Sequence, residues 1–258
     1  MLLVIDVGNT DMVFGIFQGE KLVGNFRLKT DPVRTSDEIG LLACQYFQRF
    51  ALEPGQVEAV VIASVVPPVM HTLTSAIGKY FERIPLIIDE DIDPGLPYGI
   101  QSDERLGADR AVACVAAIEK YGAPAIVLDF GTATTLDAVS LEGTYLGGCI
   151  TAGVRLTTEA LFQKTASLPN VELSMPATVL GGTAVGQIQA GAVMSYVGAM
   201  EYLLRRAKRE MGYRPEEIKV VATGGLAPMV AENTDIIDVV DHSLILDGLR
   251  VLYEKAKK

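Results

Sequence analysis

The sequence predicts a three-layer α/β protein built as two similar lobes with a cleft between them. A chain of 258 residues with 49% hydrophobic and 21% charged side chains can bury one large core or two smaller ones. Two strand-turn-strand segments of related sequence stand far apart in the chain. Strands alternate with helical patterns between and after these segments, which is typical of sheets covered by helices.

The repeat is clearest at two turns that each follow a buried strand. VIDVGNT at 4–10 aligns without a gap with VLDFGTA at 127–133, and each copy continues with two further strands. We therefore expect residues 1–115 to form an N-terminal lobe and residues 116–258 a C-terminal lobe.

The remaining elements follow from the period of the apolar residues and from turn residues between them. The predicted strands cover 2–7, 12–17, 21–29, 57–63, 84–88, 125–128, 134–139, 144–150, 218–222 and 236–239. The predicted helices cover 36–50, 68–83, 105–121, 154–164, 178–211 and 243–255.

Composition excludes several classes of protein. The net charge of −10 argues against a nucleic-acid partner, so an anionic ligand would have to be held locally by backbone N–H groups. Cys44, Cys114 and Cys149 are far apart and read as reduced core residues without zinc-ligand spacing. The N-terminus lacks the basic start of a signal peptide, and no apolar stretch reaches transmembrane length, so we expect a cytoplasmic protein without a membrane partner.

The turn DVGNTD at 6–11 is the first candidate site. A strand that ends in Asp6 and is followed by Gly8 leaves backbone N–H groups pointing into a concavity, and the side chains of Asn9 and Thr10 add donors. Such a turn suits a phosphate group. An ordinary hairpin, in which glycine supplies a positive φ angle, explains the same residues.

Two later turns extend the candidate site. DFGTATTLD at 129–137 brings one carboxylate and three threonine hydroxyls into one hairpin, which could hold a triphosphate and its cation, although a threonine-rich hairpin also suits plain strand propensity. TGGLAP at 223–228 would let a flat adenosine ring lie against the backbone, or it is a simple strand-to-helix turn. Neither a P-loop nor a Rossmann fingerprint occurs at a strand-to-helix junction.

These turns resemble the two phosphate motifs of the actin/hexokinase/acetate-kinase superfamily, whose lobes are ribonuclease H-like mixed sheets. Within it, GADR at 107–110, Gly147-Gly148 ahead of Gly153, and TGG at 223–225 are similar to the type III pantothenate kinases. The likeness runs along nearly the whole chain, in the family's order.

The resemblance implies transfer of the γ-phosphate of ATP to pantothenate, the first step of coenzyme A biosynthesis. It also implies a homodimer with shared sites, Mg²⁺, and a monovalent cation, K⁺ or NH₄⁺. By position, Asp109 would be the general base and Asp129 the ligand of the monovalent cation. ATP would contact Asp6, Val7, Gly8, Asn9, Thr10, Asp11, Met12, Val13 and Thr132, and the acceptor would contact Ile100, Gly107, Ala108, Asp109, Arg110 and Ala184.

Physical chemistry agrees with the role implied for Asp109. A primary alcohol is a poor nucleophile, and a carboxylate within hydrogen-bond reach can take its proton during attack. Arg110 could hold the acceptor's carboxylate or the transferred phosphate through its planar guanidinium. An ion pair of both residues on the surface of a first helical turn is the alternative.

The chain departs from the family pattern around the acceptor. Ile100 stands where the family has tyrosine, with Tyr98 two positions earlier; Ala152 replaces a proline; and Ala184 replaces a threonine, with Thr183 adjacent. The phosphate turns carry no such changes. A kinase of another small alcohol, a phosphatase in the same cleft, or a non-catalytic nucleotide-binding accessory protein therefore stays open.

One apolar segment bears on oligomerisation. Residues 177–200 are rich in glycine and alanine and carry no charge, so they form either a self-association surface or a central buried helix. The first alternative predicts that a charge at Ala192 disrupts association.

Overall fold

In a computed structural model, which describes residues 1–99 and 106–257, the chain divides into two compact units. Of the described residues, the first unit contains 1–96, 106–116 and 243–257, and the second contains 97–99 and 117–242. Each unit holds a mixed sheet with helices packed on it.

The sheet of the first unit has the order β3-β2-β1-β4-β5. β1 pairs antiparallel with β2 and parallel with β4, so the polypeptide forms a meander on one side and a parallel extension on the other. The strands are β1 (Leu2–Val7), β2 (Asp11–Gln18), β3 (Lys21–Lys29), β4 (Ala59–Ser64) and β5 (Leu86–Ile87). The helices with residues in this unit are α1 (Ser36–Arg49), α2 (Pro67–Phe81), α3 (Ala108–Tyr121), which continues into the second unit, and α8 (Leu244–Ala256).

The core of the first unit follows from its sequence. β1 is an almost continuous apolar run because both of its faces are covered. α1 starts at Thr35 with a capping box, in which Thr35 and Glu38 satisfy each other's backbone N–H groups, and turns its apolar face to the sheet. Aromatic rings stack in the order Phe14, Phe26 and Tyr46 between β2, β3 and α1.

The second unit repeats this sheet in the order β8-β7-β6-β9-β10. Its strands are β6 (Ala125–Phe130), β7 (Ala133–Val139), β8 (Tyr145–Ala152), β9 (Lys219–Thr223) and β10 (Val239–Val240). Its other helices are α4 (Val154–Lys164), α5 (Ala184–Gln189), α6 (Ser195–Met211) and α7 (Ala227–Ala231), and a π-helical turn, Ala190–Met194, joins α5 to α6.

The identical strand order confirms the predicted fold class, two duplicated lobes that each consist of a mixed sheet flanked by helices. The two hairpin turns differ by one residue, because Val7 pairs with Met12 in the first copy whereas Phe130 pairs with Thr134 in the second. The backbone therefore has a different conformation in the two turns, although they occupy equivalent places in the two sheets.

The strands predicted over 84–88 and 236–239 are shorter in the structure, at Leu86–Ile87 and Val239–Val240, and two predicted helices differ more. The helix expected over 178–211 begins only at Ala184, because Gly181 and Gly182 precede Thr183, whose side chain caps α5 by accepting a hydrogen bond from the Gly186 N–H. The last helix, expected in the C-terminal lobe, packs on β1, β2 and β4 of the first unit.

The apolar segment at 177–200 turns one face to its own unit. Ala192, Val193 and Val197 are buried in the core of the second unit. A charge at Ala192 would therefore also damage that core, so loss of association in such a variant would not by itself identify a self-association surface. Cys114 is buried, Cys44 and Cys149 are half-buried, and none of these three residues forms a disulfide. Within residues 1–99 and 106–257, no helix has both the length and the apolarity to cross a bilayer.

Candidate active site

The first turn is held in shape by one side chain outside it. Gly8 donates its N–H to the Asp11 carbonyl oxygen at 3.0 Å. Thr30, buried just after β3, donates its hydroxyl to the Gly8 carbonyl oxygen at 2.7 Å and its N–H to the Thr10 carbonyl oxygen at 2.9 Å. Two turn carbonyls are thus tied back to the protein, while Asn9 and Thr10 are exposed. Sequence reasoning missed Thr30, since nothing local links it to residues 20 positions earlier.

The GADR motif lies near this turn within the first unit. Val65, just after β4, donates its N–H to the Val7 carbonyl oxygen at 3.1 Å. A Cβ at Gly107 would lie 3.7 Å from the Val65 side chain and 2.8 Å from Oδ1 of Asp109. Val65 therefore links the turn after β1 to the start of α3, at the carboxyl ends of two parallel strands, where ligands of open α/β sheets bind.

Asp109 lies in the first turn of α3 and is half-buried. Its Oδ1 accepts the N–H of Arg110 at 2.8 Å, which fixes the carboxylate at the helix N-terminus. A Cβ at position 107 would push this oxygen out of its present position, so glycine there lets the carboxylate lie where it does. The structure thus gives the glycine of GADR a physical reason that the sequence alone did not supply.

The second turn is packed more tightly than the first. Gly131 donates its N–H to the Ala133 carbonyl oxygen at 3.1 Å, and residues 131–133 are exposed. Gly153 precedes α4 and donates its N–H to the Thr132 carbonyl oxygen at 3.0 Å. A Cβ at Gly153 would lie 2.5 Å from the Gly131 oxygen, so the N-terminus of α4 reaches this turn only because residue 153 has no side chain. Helix N-termini favour anions.

Gly224 of the TGG motif also touches the second turn. Its φ is +90°, and a Cβ there would lie 2.5 Å from Oδ1 of Asp129 and 2.7 Å from backbone atoms of Phe130. Gly225 is exposed, and no heavy atom would lie within 4 Å of its Cβ. The two glycines therefore have different structural roles. Gly224 allows close packing against Asp129, whereas Gly225 leaves its backbone exposed to solvent.

Thr134, one of the side chains predicted to contact phosphate, points into the protein core. Thr134 is buried and its hydroxyl shares a hydrogen bond with the phenol of Tyr196 on α6. The prediction that Thr134 offers a hydroxyl to a triphosphate is wrong, because successive side chains of a strand alternate between faces and Thr134 falls on the inner one. Burial raises the pKa of Tyr196; the hydrogen bond from Thr134 lowers it, and the nearby Asp129 carboxylate raises it further. The phenol is therefore protonated at neutral pH.

The oxygen donors of the two turns fit the cations that accompany a nucleotide. In residues 1–99 and 106–257 there is no group of three or more His, Cys, Asp or Glu side chains that could hold a metal alone. A cation bound together with phosphates needs only one or two protein carboxylates, because phosphate oxygens and waters complete its shell. Each turn carries one half-buried carboxylate that could serve as such a protein ligand, Asp6 at the first turn and Asp129 at the second.

The residues implied for the acceptor are only partly accounted for. Ile100 lies outside the described residues. Tyr98 packs edge-on against Tyr145 with ring centroids 5.8 Å apart and keeps 45% of its surface exposed. Ala184 is exposed at the start of α5, and the neighbouring Thr183 uses its hydroxyl to cap that helix.

A groove of about 360 Å³ runs along α4 and α5 in the second unit. Ala184, Ile188 and Leu161 give it an apolar lining, and Gln187 and Ser195 bond to nearby backbone carbonyls. Large apolar side chains of α4, of α5 and of the segment before α5 are exposed: Leu156, Phe162, Val179, Leu180 and Val185.

Solved structures similar to this one share its fold. A Campylobacter jejuni protein assigned to the Baf family of transcriptional activators superimposes with a TM-score of 0.62 at 20% identity, covering 99% of this chain and 98% of that chain. A Sinorhizobium meliloti protein assigned as a 2-dehydro-3-deoxygalactonokinase gives 0.63 at 12% identity over 99% and 96%. The activator of 2-hydroxyisocaproyl-CoA dehydratase from Clostridium difficile, with bound ADPNP, gives 0.53 at 13% identity over 99% and 95%.

The duplicated sheets, with a turn after the first strand of each, define a protein of the actin/hexokinase-like ATPase fold. Residues 2–206 match the profile of one family within that fold, and the chain belongs to the type III pantothenate kinase family. It is accordingly a kinase with an ATP-using fold.

Proposed function

We propose that this protein transfers the γ-phosphoryl group of ATP to pantothenate, forming 4'-phosphopantothenate in the first step of coenzyme A biosynthesis. The observation that carries the proposal is the placement of Asp109. Its half-buried carboxylate lies at the start of α3, linked through Val65 to the turn after β1. Membership in the type III pantothenate kinase family supports the acceptor.

In the proposed reaction Asp109 acts as general base. Its carboxylate takes the proton of the acceptor hydroxyl as that oxygen bonds to the γ-phosphorus, and the bond between phosphorus and the bridging oxygen breaks to release ADP. General-base catalysis contributes roughly 10²- to 10⁴-fold. The contact between Asp109 Oδ1 and the Arg110 N–H would keep the carboxylate oriented before the acceptor arrives.

The two turns would hold the phosphates. Residues 6–13 and Thr132 would contact ATP, and the N-terminus of α4 would add favourable dipole charge beside the second turn. Bound Mg²⁺ supplies charge neutralisation on the β- and γ-phosphates. Asp129, fixed against Gly224, would ligate the monovalent cation, K⁺ or NH₄⁺.

The acceptor would lie along the GADR motif. Gly107 and Ala108 would approach it with their backbone, and Arg110 would bind its carboxylate through two parallel hydrogen bonds. Tyr98 offers an anchored aromatic ring near Ile100 in sequence, and Ile100 and Ala184 complete the proposed set.

We also propose that the protein works as a homodimer in the cytoplasm. The exposed apolar side chains of α4, of α5 and of the segment before α5 support self-association, because a monomer rarely leaves so many large apolar residues exposed to water. A partner subunit seated there would lie against Ala184. The cytoplasmic location follows from the proposed metabolic step.

One assay tests the proposed function. Purified protein with ATP, Mg²⁺ and K⁺ should release ADP when pantothenate is added and release little without it. Asp109→Asn should bind ATP normally and lower kcat by at least about 10²-fold, since it keeps the shape but removes the base.

Other results in this assay would indicate a different function. ADP release that ignores pantothenate indicates hydrolysis of ATP by a phosphatase activity. ATP binding without turnover indicates a kinase of another alcohol or an accessory protein, and ADP release on addition of other small alcohols distinguishes these two. Near-normal turnover by Asp109→Asn would exclude Asp109 as the base.

A further inference from the structure

The helical run that crosses the second unit contains a π-helical turn at Ala190–Met194. Such a turn adds one residue to an α-helix and rotates everything after it by about 100°. π-helical turns are uncommon and often occur at functional sites. Tyr196 is the second residue after this one, so the turn decides where its side chain points.

Tyr196 reaches the hairpin that carries the second turn. Its phenol shares a buried hydrogen bond with the Thr134 hydroxyl, and its ring meets the edge of Phe130 with centroids 6.1 Å apart. Phe130 and Thr134 are direct partners in the register of β6 and β7. One side chain thus contacts both strand ends from which residues 131–133 emerge.

We propose that Tyr196 is a positioning residue for nucleotide binding: its hydroxyl, acting through Thr134, sets the position of turn 131–133 against the phosphates of ATP. The inference rests on the proposed function, because it assumes that this turn binds ATP. The turn itself is exposed and short, so the buried bond beneath it is well placed to limit its movement.

Variants that remove the hydroxyl of Tyr196, that of Thr134, or both distinguish an effect on ATP binding from an effect on the stability of the core. Tyr196→Phe keeps the ring on Phe130 and deletes the bond, and Thr134→Val deletes the same bond from the other side. Each single variant leaves one buried hydroxyl without its partner and loses stability, whereas the double variant replaces both groups by apolar ones and recovers most of it. Thr134→Ser keeps the hydroxyl, and Tyr202→Phe, at an exposed site on the same helix, is the matched control.

The readouts are the Kd of a non-hydrolysable ATP analogue by calorimetry, the KM values of ATP and pantothenate, and the melting temperature. Both single variants should weaken analogue binding about 2- to 10-fold and leave the KM of pantothenate unchanged. The double variant should remain as weak as the singles although its stability recovers. Thr134→Ser and Tyr202→Phe should match the wild type.

Two results would overturn the inference. One is a double variant whose affinity recovers together with its stability, and the other is a Tyr196→Phe protein that melts earlier but binds the analogue normally. If Tyr196→Phe does not fold, Thr134→Val breaks the same bond and decides the question. A wild type that binds no analogue refutes the proposed function itself, and the inference falls with it.

Discussion

Gly224 is the position at which a single added methyl group should most disturb the second turn. Its φ of +90° costs an L-residue roughly 1–2 kcal/mol. A Cβ would also lie 2.5 Å from Oδ1 of Asp129 and 2.7 Å from the Phe130 backbone, and overpacking of this kind costs about 1–3 kcal/mol. Gly224→Ala should therefore lower the free energy of unfolding by about 2–5 kcal/mol and displace the Asp129 carboxylate.

Gly225 provides the matched control one residue away. Its Cβ would meet no heavy atom within 4 Å, so Gly225→Ala should leave the free energy of unfolding within about 0.5 kcal/mol of the wild type. If adenosine lies against this backbone, Gly225→Ala should still weaken ATP binding. Urea unfolding and titration with an ATP analogue at varied K⁺ measure both effects.

For the reasoning to hold, Gly224→Ala must lose more stability than Gly225→Ala. Equal loss of stability in Gly224→Ala and Gly225→Ala would show that the close approach to Asp129 carries no energy. A Gly224→Ala protein with a normal response to K⁺ would show that the Asp129 carboxylate does not ligate the cation.

Two other variants test the acceptor side and the proposed dimer. Gly107→Ala places a Cβ 2.8 Å from Asp109 Oδ1 and should lower kcat by about 10- to 10²-fold with the KM of ATP unchanged. The control Gly78→Ala, whose Cβ would meet no heavy atom within 4 Å, should leave kcat unchanged. An unaltered kcat in Gly107→Ala would show that the carboxylate does not need its present position. Val185→Asp, next to Ala184 on α5, should give a monomer of low activity, whereas Leu141→Asp, at an exposed site elsewhere, should stay dimeric, as measured by light scattering. A fully active Val185→Asp monomer would refute the shared site.

The hairpins and their duplication could be predicted because they are local. Alternation of apolar residues and a glycine turn specify each hairpin within about 30 residues, and the structure has β3 over Lys21–Lys29 and α4 over Val154–Lys164, as predicted. Because VIDVGNT and VLDFGTA are similar, we expect the two segments to fold alike, and both sheets indeed have the same strand order.

Other features depend on partners distant in the chain. Thr134 looked like a phosphate donor because its hydroxyl is polar, yet it bonds to Tyr196, 62 residues later. The residue types of the apolar segment also did not reveal the π-helical turn at Ala190–Met194.

The sequence by itself determined the two turns, their order and the class of chemistry they suit, because strand period and turn residues act over a few positions. Only the tertiary structure decided which side chains serve them. Thr30 donates a hydrogen bond to the first turn, and Tyr196 shares one with Thr134 next to the second turn. Gly153 and Gly224 have no side chains and so allow close packing against the second turn. These contacts exist because packing in a dense core brings together atoms that are remote along the chain, and no local pattern encodes such distances.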